Sequence, residues 1–126
     1  MKPILVVDDE AIVRDSIGDW LRTAGYEVYE AETGEEALML IEKTDFSFLI
    51  LDVRLPGKSG IQVLKEVRAA KPEIKTIIIT AFPSEGLADE VMKLGAVDYL
   101  IKPVHPENLE RIILETLSKS DQKSTV

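Results

Sequence analysis

The chain has 126 residues, 45% of them hydrophobic, which is the size and apolar content of one domain with a single core. It contains no cysteine and one histidine, which excludes disulfides, thiolate nucleophiles and both sulfur-ligated and multi-histidine metal sites. The formal net charge of −8 would repel the negatively charged phosphate backbone of nucleic acid, so we expect no direct DNA binding by this chain.

The beginning of the chain predicts neither a membrane span nor a signal peptide. Residues 1–3 lead directly into a strand pattern, and no apolar run approaches the roughly 20 residues that a membrane-spanning helix requires. We therefore expect a cytoplasmic protein that has no membrane partner.

The first half of the chain alternates strand and helix patterns. Residues 4–7 form an apolar run that ends at three acids, residues 8–10, which predicts a buried strand opening onto carboxylates. Apolar residues at helical spacing over 11–24 predict a helix, and the alternating residues 26–31 predict an edge strand. Residues 33–36 (Thr-Gly-Glu-Glu) carry the capping-box signature of a second helix.

The middle of the chain contains its most informative stretch, residues 48–57. Five residues, Phe-Leu-Ile-Leu-Asp, form an apolar run that ends in Asp52, and the break at Pro56-Gly57 follows soon after. This pattern predicts a buried central strand with one carboxylate at its end. Taken alone, Asp52 is more often a turn residue, because Asp bonds readily to nearby backbone N–H groups.

The second half continues the same alternation. Residues 76–80 predict a strand buried on both faces that ends in Thr80, and Ser84 is expected to cap the helix that follows. Residues 97–101 predict the last strand, which is followed by Lys102, and Pro106 suits the first turn of a final helix.

The stretch Lys58-Ser59-Gly60 leads into one further helix pattern, with Ile61, Val63, Leu64 and Val67 on its inner side. Five strands that alternate with five helices predict a doubly wound α/β domain. Such a fold has a five-stranded parallel sheet with right-handed crossovers and helices on both faces. The order 2-1-3-4-5, the flavodoxin-like order, would make strands one and three neighbours. We assign residues 1–118 to this domain and residues 119–126 to a polar tail or the start of a linker.

The residues that follow the strands would meet at one edge of this sheet, where ligands bind in parallel α/β folds. They are three carboxylates, a hydroxyl and an ammonium: Asp8, Asp9, Asp52, Thr80 and Lys102. Neighbouring carboxylates repel one another unless a cation compensates them, and oxygen ligands favour Mg²⁺, for which Mn²⁺ could substitute.

Phosphoryl transfer to Asp52 is the reaction that this set of groups suggests. A carboxylate can attack phosphorus when a metal ion and a lysine neutralise the charge of the transferring group. Lys102 would bind one phosphoryl oxygen, and the Thr80 hydroxyl, helped by the backbone N–H of Ala81, would bind another.

Four motifs in order resemble the receiver domain of two-component response regulators over nearly the whole chain. They are Val7-Asp8-Asp9-Glu10, Leu51-Asp52-Val53-Arg54-Leu55-Pro56-Gly57, Ile79-Thr80-Ala81, and Gly95-Ala96-Val97-Asp98-Tyr99-Leu100-Ile101-Lys102-Pro103. The resemblance implies that Asp52 accepts a phosphoryl group from a phosphohistidine on a sensor kinase or phosphotransfer protein. It also implies a Mg²⁺ site formed by Asp9, Asp52 and the backbone carbonyl of Arg54, with Asp8 acting through water, and phosphoryl contacts from Thr80 and Lys102.

The same resemblance implies a switch that controls an output domain or a downstream protein. Thr80 would move toward the phosphoryl group and Tyr99 would turn inward, which remodels the surface of helix four, strand five and helix five. Several such regulators dimerise through that surface, which here would include Val91 and Arg111. Arg54 and Phe82 flank the acceptor, so we expect them to shield the acyl phosphate and prolong its lifetime.

Three other functions compete with this interpretation. Phosphatases of the haloacid-dehalogenase type carry an Asp-x-Asp motif after the strand. This chain has Arg54 in place of the second Asp. A flavodoxin-like binding module holds flavin phosphate in a Ser/Thr/Gly-rich loop, whereas residues 8–10 here are acidic. A receiver-like interaction domain that works without phosphorylation is the serious alternative, since composition does not exclude it.

Overall fold

The computed structural model describes residues 1–124, in which five strands alternate with five helices along the chain. The strands are β1 (Ile4–Val7), β2 (Val28–Ala31), β3 (Phe48–Asp52), β4 (Lys75–Thr80) and β5 (Asp98–Ile101). The helices are α1 (Ala11–Thr23), α2 (Gly34–Lys43), α3 (Gly60–Ala70), α4 (Leu87–Lys93) and α5 (Pro106–Ser124).

All strand pairs are parallel, and their order is β2-β1-β3-β4-β5, which confirms the predicted doubly wound sheet. β1 and β3 are neighbours, with Val7 opposite Leu51. Asp8 follows Val7 and Asp52 follows Leu51, so these two residues lie side by side at the carboxyl edge of the sheet. β2 forms one edge of the sheet, as its alternating pattern predicts.

Each face of the sheet has its own hydrophobic cluster. α2, α3 and α4 pack on one face, where Leu49 and Ile78 are buried, and α1 and α5 pack on the other, where Ile50 and Ile77 are buried. β1, the first four residues of β3 and the centre of β4 (residues 77–79) are apolar because both faces of these strands are covered. This two-sided packing fixes the position of the central strands that carry Asp8 and Asp52.

Side-chain caps begin two of the helices, and a third begins differently from the prediction. Thr33 accepts a hydrogen bond from the Glu36 backbone N–H at 3.1 Å, as the capping-box pattern predicts. The prediction that Ser84 caps α4 is wrong. The chain instead makes a turn at Gly86, whose φ of +82° suits glycine, and the helix begins at Leu87.

α5 continues past the boundary at residue 118 that composition predicts, and is helical as far as Ser124. A helix satisfies its own backbone hydrogen bonds, so it can continue without apolar contacts. The division of the chain at residue 118 stays a prediction, and residues 125 and 126 of the assigned tail lie outside the described residues. Within residues 1–124, no helix has the length and apolar content that crossing a membrane requires.

Candidate functional site

The site is built around Asp52, the last residue of β3. Asp52 is 3% exposed, and its register partner on β4 is Ile79. Its two carboxylate oxygens have different partners. Oδ1 accepts a hydrogen bond from the Arg54 backbone N–H at 3.0 Å, whereas Oδ2 lies 2.8 Å from the Lys102 ammonium. These contacts hold the carboxylate in one orientation at the carboxyl edge of the sheet.

Lys102 joins three carboxylates, two from the loop between β1 and α1 and one from the end of β3. Its Nζ lies 2.8 Å from Asp52 Oδ2, 2.7 Å from Asp8 Oδ2 and 3.0 Å from Glu10 Oε1. Its own backbone N–H donates to the Thr80 carbonyl at 2.8 Å, which fixes the start of the side chain beside β4. The peptide bond between Lys102 and Pro103 is cis. Lys102 therefore lies at the centre of the site.

The site has a net negative charge in a small volume, because one ammonium faces three carboxylates. Burial works to lower the pKa of Lys102, but the close contacts of its ammonium with the Asp52, Asp8 and Glu10 carboxylates outweigh burial and hold the pKa above the ordinary lysine value. The pKa of Asp8 is raised, first by burial and further by the charge of Asp52, although Lys102 opposes this shift. Lys102 is thus fully protonated at neutral pH, and it only partly compensates the carboxylates.

The donor atoms of the site fit a small divalent cation. Among the described residues, Asp8, Glu10 and Asp52 form the group whose carboxylate oxygens all lie within 4.8 Å of one another. Asp8 Oδ2 is buried, and accepts no well-aligned hydrogen bond from residues 1–124 in spite of its close approach to Lys102. An orphaned carboxylate oxygen in an all-oxygen site matches the preferences of Mg²⁺. Asp9, which the sequence predicts as a ligand, is exposed and lines the same opening.

The opening above Asp52 has a volume of about 330 Å³ and connects the carboxylate with solvent. Arg54, Ala81 and Phe82 line it, as the sequence predicts for groups that flank the acceptor. The Arg54 guanidinium carbon lies 4.4 Å from the centre of the Phe82 ring, a cation–π contact at the mouth of the site.

Two residues predicted to act in the switch lie on or beside β4. Thr80 is buried, and its hydroxyl oxygen accepts a hydrogen bond from the Phe82 backbone N–H at 3.0 Å. Tyr99 on β5 is the register partner of Ile78 and is half-buried against the cluster beneath α4. Because the Thr80 oxygen only accepts in this bond, its O–H can still donate to a group bound at Asp52.

Glu10 is the site residue that the sequence analysis missed. It belongs to the quoted acidic motif, in which only Asp8 and Asp9 are predicted to act at the site. One signal was available: Lys102 was already expected at the same edge of the sheet. A lysine ammonium at this edge attracts a carboxylate on any loop that can reach it, and the acidic motif offers three.

Comparison with known proteins gives a consistent result. Residues 4–114 match the model of the response regulator receiver domain. The chain is 36% identical over 114 residues to a cyclic di-GMP phosphodiesterase of Thermotoga maritima, and 39% identical over 115 residues to the transcriptional regulatory protein ZraR of Escherichia coli. These alignments cover 90% and 91% of this chain but only 30% and 26% of the relatives. The chain thus spans less than a third of their length.

Solved structures agree with this result. A CheY-like receiver domain protein of Methanospirillum hungatei superposes with a TM-score of 0.92 at 33% identity, over 98% of both chains. A response regulator of Burkholderia pseudomallei, solved with a phosphorylated aspartic acid, a calcium ion and citrate, gives 0.85 at 27% identity, over 98% of this chain and 73% of that one. The protein therefore belongs to the family of response regulator receiver domains, the phosphorylation-activated switches of two-component systems.

Proposed function

We propose that Asp52 accepts a phosphoryl group from a phosphohistidine on a sensor kinase or phosphotransfer protein. One observation carries the proposal: the ammonium of Lys102, whose side chain is 8% exposed, lies 2.8 Å from Oδ2 of a buried carboxylate at the base of an opening to solvent. The Burkholderia relative with a phosphorylated aspartic acid supports the same chemistry.

The transfer forms one bond and breaks one. An Asp52 carboxylate oxygen attacks phosphorus while the bond from phosphorus to the donor nitrogen breaks, and the electron pair of that bond stays with the imidazole. Lys102 then binds a phosphoryl oxygen, and the Thr80 hydroxyl and the Ala81 N–H bind others. Later attack by water on the acyl phosphate returns Asp52 and releases phosphate, so the chain assists its own phosphorylation and dephosphorylation without turning over a substrate.

Receiver domains bind Mg²⁺ at an acidic pocket, and the oxygen atoms here suit that ion. We assign its ligands to Asp9, Asp52 and the Arg54 carbonyl, with Asp8 acting through water, and Mn²⁺ is an alternative ion. A bound divalent cation supplies positive charge beside the transferring phosphoryl group. Because Asp9 is exposed, its side chain is free to turn toward this position.

Receiver domains act between kinases and output domains or downstream proteins, and we propose that this one signals through the surface of α4, β5 and α5. Movement of Thr80 toward the phosphoryl group leaves space into which the half-buried Tyr99 turns. That movement changes the surface around Val91 and Arg111, where a phosphorylation-dependent homodimer or an output partner would bind. We further propose that the protein is cytoplasmic, where its kinase would meet it.

Intact mass measurement of the protein with Mg²⁺ and acetyl phosphate tests the phosphoacceptor. We expect one phosphoryl adduct that requires Mg²⁺ and disappears in Asp52→Asn. Asp15→Asn, which removes the same charge from an exposed position on α1, should retain the adduct. If neither acetyl phosphate nor phosphohistidine donors modify Asp52 in a folded protein that binds Mg²⁺, the domain acts without phosphorylation.

The switch is tested separately with Tyr99→Phe and Thr80→Ala. Both variants should still form the Asp52 adduct but lose the phosphorylation-dependent change in the NMR spectrum of α4, β5 and α5. An unchanged response in either variant would remove that residue from the switch.

A further inference from the structure

Glu10 contacts the site, but neither the predicted phosphoacceptor nor its predicted ligand set gives it a role. It is the residue before α1, in the N-cap position, where a side-chain oxygen ordinarily accepts a hydrogen bond from the first turn. Glu10 makes no such side-chain bond to any described residue, and its carboxylate reaches across to Lys102 at 3.0 Å instead.

The backbone of Glu10 is held in place, so this reach is a built feature of the loop. Its N–H donates to Asp8 Oδ1 at 2.9 Å, and its carbonyl accepts from the Arg14 N–H at 3.0 Å. The Arg14 guanidinium also donates to the Asp8 carbonyl at 2.8 Å and lies 3.4 Å from Glu30. These contacts fix the loop between β1 and α1 and aim the Glu10 side chain at the opening.

The three carboxylates on Lys102 differ in how readily they can release it. The Asp8 and Asp52 side chains are 0% and 5% exposed, whereas that of Glu10 is 58% exposed. Water can solvate the Glu10 carboxylate as soon as it leaves the lysine, so breaking this contact costs little. Glu10 is therefore the partner that Lys102 can exchange for a phosphoryl oxygen.

We propose that Glu10 is a positioning residue that holds Lys102 in the resting protein and opposes phosphorylation until it is displaced. The inference rests on the proposed function of Asp52. One ammonium already faces three carboxylates, and the phosphoryl group adds further negative charge, so Glu10 both competes for Lys102 and repels the incoming group. Phosphoryl transfer to Asp52 thus requires Lys102 to leave Glu10.

The test compares the rates at which wild type, Glu10→Gln and Asp15→Asn form the phosphoryl adduct in acetyl phosphate. Asp15 is also exposed, lies on α1 and has no ion pair among the described residues. Asp15→Asn therefore removes the same charge as Glu10→Gln without breaking an ion pair. The Mg²⁺ concentration saturates each variant, which removes differences in cation affinity from the comparison. We expect Glu10→Gln to form the adduct roughly two- to fivefold faster at low salt, the range for one exposed ion pair.

The advantage of Glu10→Gln should shrink at high salt, which screens exposed charges, and Asp15→Asn should match wild type throughout. A merely structural role for Glu10 would not produce this salt dependence. Equal or slower phosphorylation of Glu10→Gln at low salt would overturn the proposal, and so would equal acceleration by Asp15→Asn.

A second measurement does not depend on phosphorylation. In nitrogen-15 NMR of the lysine ammonium groups, with Lys102 assigned through Lys102→Arg, the Lys102 protons should exchange with water faster in Glu10→Gln than in wild type. Unchanged exchange would overturn the proposal. If no variant forms an adduct, the proposed function of Asp52 fails, and the exchange rates alone decide whether Glu10 holds Lys102.

Discussion

Asp8 is a fully buried carboxylate with a raised pKa, and its Oδ2 accepts no well-aligned hydrogen bond from residues 1–124. Because the folded state holds the Asp8 proton more tightly than the unfolded state, Asp8 favours folding in acid, and this contribution is lost as the pH rises through the folded pKa. At neutral pH its charge therefore destabilises the metal-free protein. The same charge is what draws a cation to the site.

We predict that Asp8→Asn stabilises the metal-free protein by about 1 kcal/mol at pH 8 and by less at pH 4. It should also weaken Mg²⁺ binding about tenfold, as loss of a group that acts through water does. Urea unfolding in a chelator gives the stability, and an NMR titration gives the affinity. Asp15→Asn is the control for net charge, and an equal gain in that variant would contradict the argument.

Arg54 and Phe82 stack at the mouth of the opening, where water must enter to hydrolyse an acyl phosphate. We predict a phosphoryl lifetime longer than that of the fast-hydrolysing chemotaxis regulators, and a roughly two- to fivefold shorter one in Phe82→Ala, the range for one exposed cation–π contact. Phe82 is 60% exposed, so its truncation leaves no cavity. The lifetime is followed by phosphate release from the purified phosphoprotein.

Met92→Ala, which truncates an exposed apolar residue on α4, is the control for this lifetime and should leave it unchanged. Arg54→Ala should shorten the lifetime as Phe82→Ala does, and the double variant should add little, because the two side chains act as one cover. Release of phosphate within seconds from wild type would show that the stacked pair does not shield the site.

Single residues also mark what sequence could and could not predict. Asp52 and Lys102 were predictable because each follows an apolar strand, and parallel strands deliver their carboxyl ends to one edge. The sequence placed Glu10 and Lys102 at the same edge of the sheet but not in contact, because the contact depends on how far a long side chain reaches from a fixed loop. The orphaned oxygen of Asp8 likewise depends on hydrogen-bond angles that spacing does not encode.

At the scale of elements, the turn from β3 to α3 is fixed by Gly60. Its N–H donates to the Val53 carbonyl at 2.9 Å, and a Cβ at Gly60 would overlap the Asp52 carbonyl oxygen. Only glycine lets the start of α3 lie directly on the backbone of Asp52. The turn thereby couples the position of Asp52 to the packing of α3.

We predict that Gly60→Ala destabilises the protein by about 3 kcal/mol, since the atom overlapped is backbone that cannot move aside. Gly25→Ala is the matched control. Gly25 has a φ of +102° but no described atom within 4 Å of a Cβ, so its cost should be about 1 kcal/mol of backbone strain alone. Denaturant unfolding measures both, and equal costs would mean that the close approach at Gly60 is unimportant.

The start of a helix was predictable where a side chain caps it, and was not predictable where a turn of the backbone begins it. Thr33 and Ser59 each accept a hydrogen bond from the first turn of their helix, and sequence identifies such residues well. α4 begins after Gly86 in a left-handed conformation, and Ser84 contributes only its carbonyl to the turn. A hydroxyl near a helix start is therefore a weaker guide than the glycine beside it.

For the whole molecule, the order of the strands brings Asp52 and the side chains that contact it together. β1 and β3 are central neighbours, β4 follows, and Lys102 lies just beyond β5, so four loops converge on one edge. The alternation of strands and helices predicted this layout because right-handed crossovers allow few alternatives. The extent of α5 could not be predicted in the same way, since its final part follows no apolar pattern.

The boundary at residue 118 gives a prediction for the molecule as a whole. Within residues 106–119, the part of α5 whose burial is described, the buried Leu109, Ile112 and Ile113 and the half-buried Leu117 all precede it. We therefore expect residues 1–118 to fold alone, with a free energy of unfolding within about 0.5 kcal/mol of the full chain and the same Mg²⁺-dependent adduct at Asp52. Urea unfolding and intact mass measure the two properties.

A truncation that also removes Leu117 is the comparison, and should lower the free energy of unfolding by about 1–3 kcal/mol because it takes packed apolar surface from the core. If removing 119–126 costs as much as that longer cut, then the last turns of α5 belong to the domain and the boundary lies beyond 118.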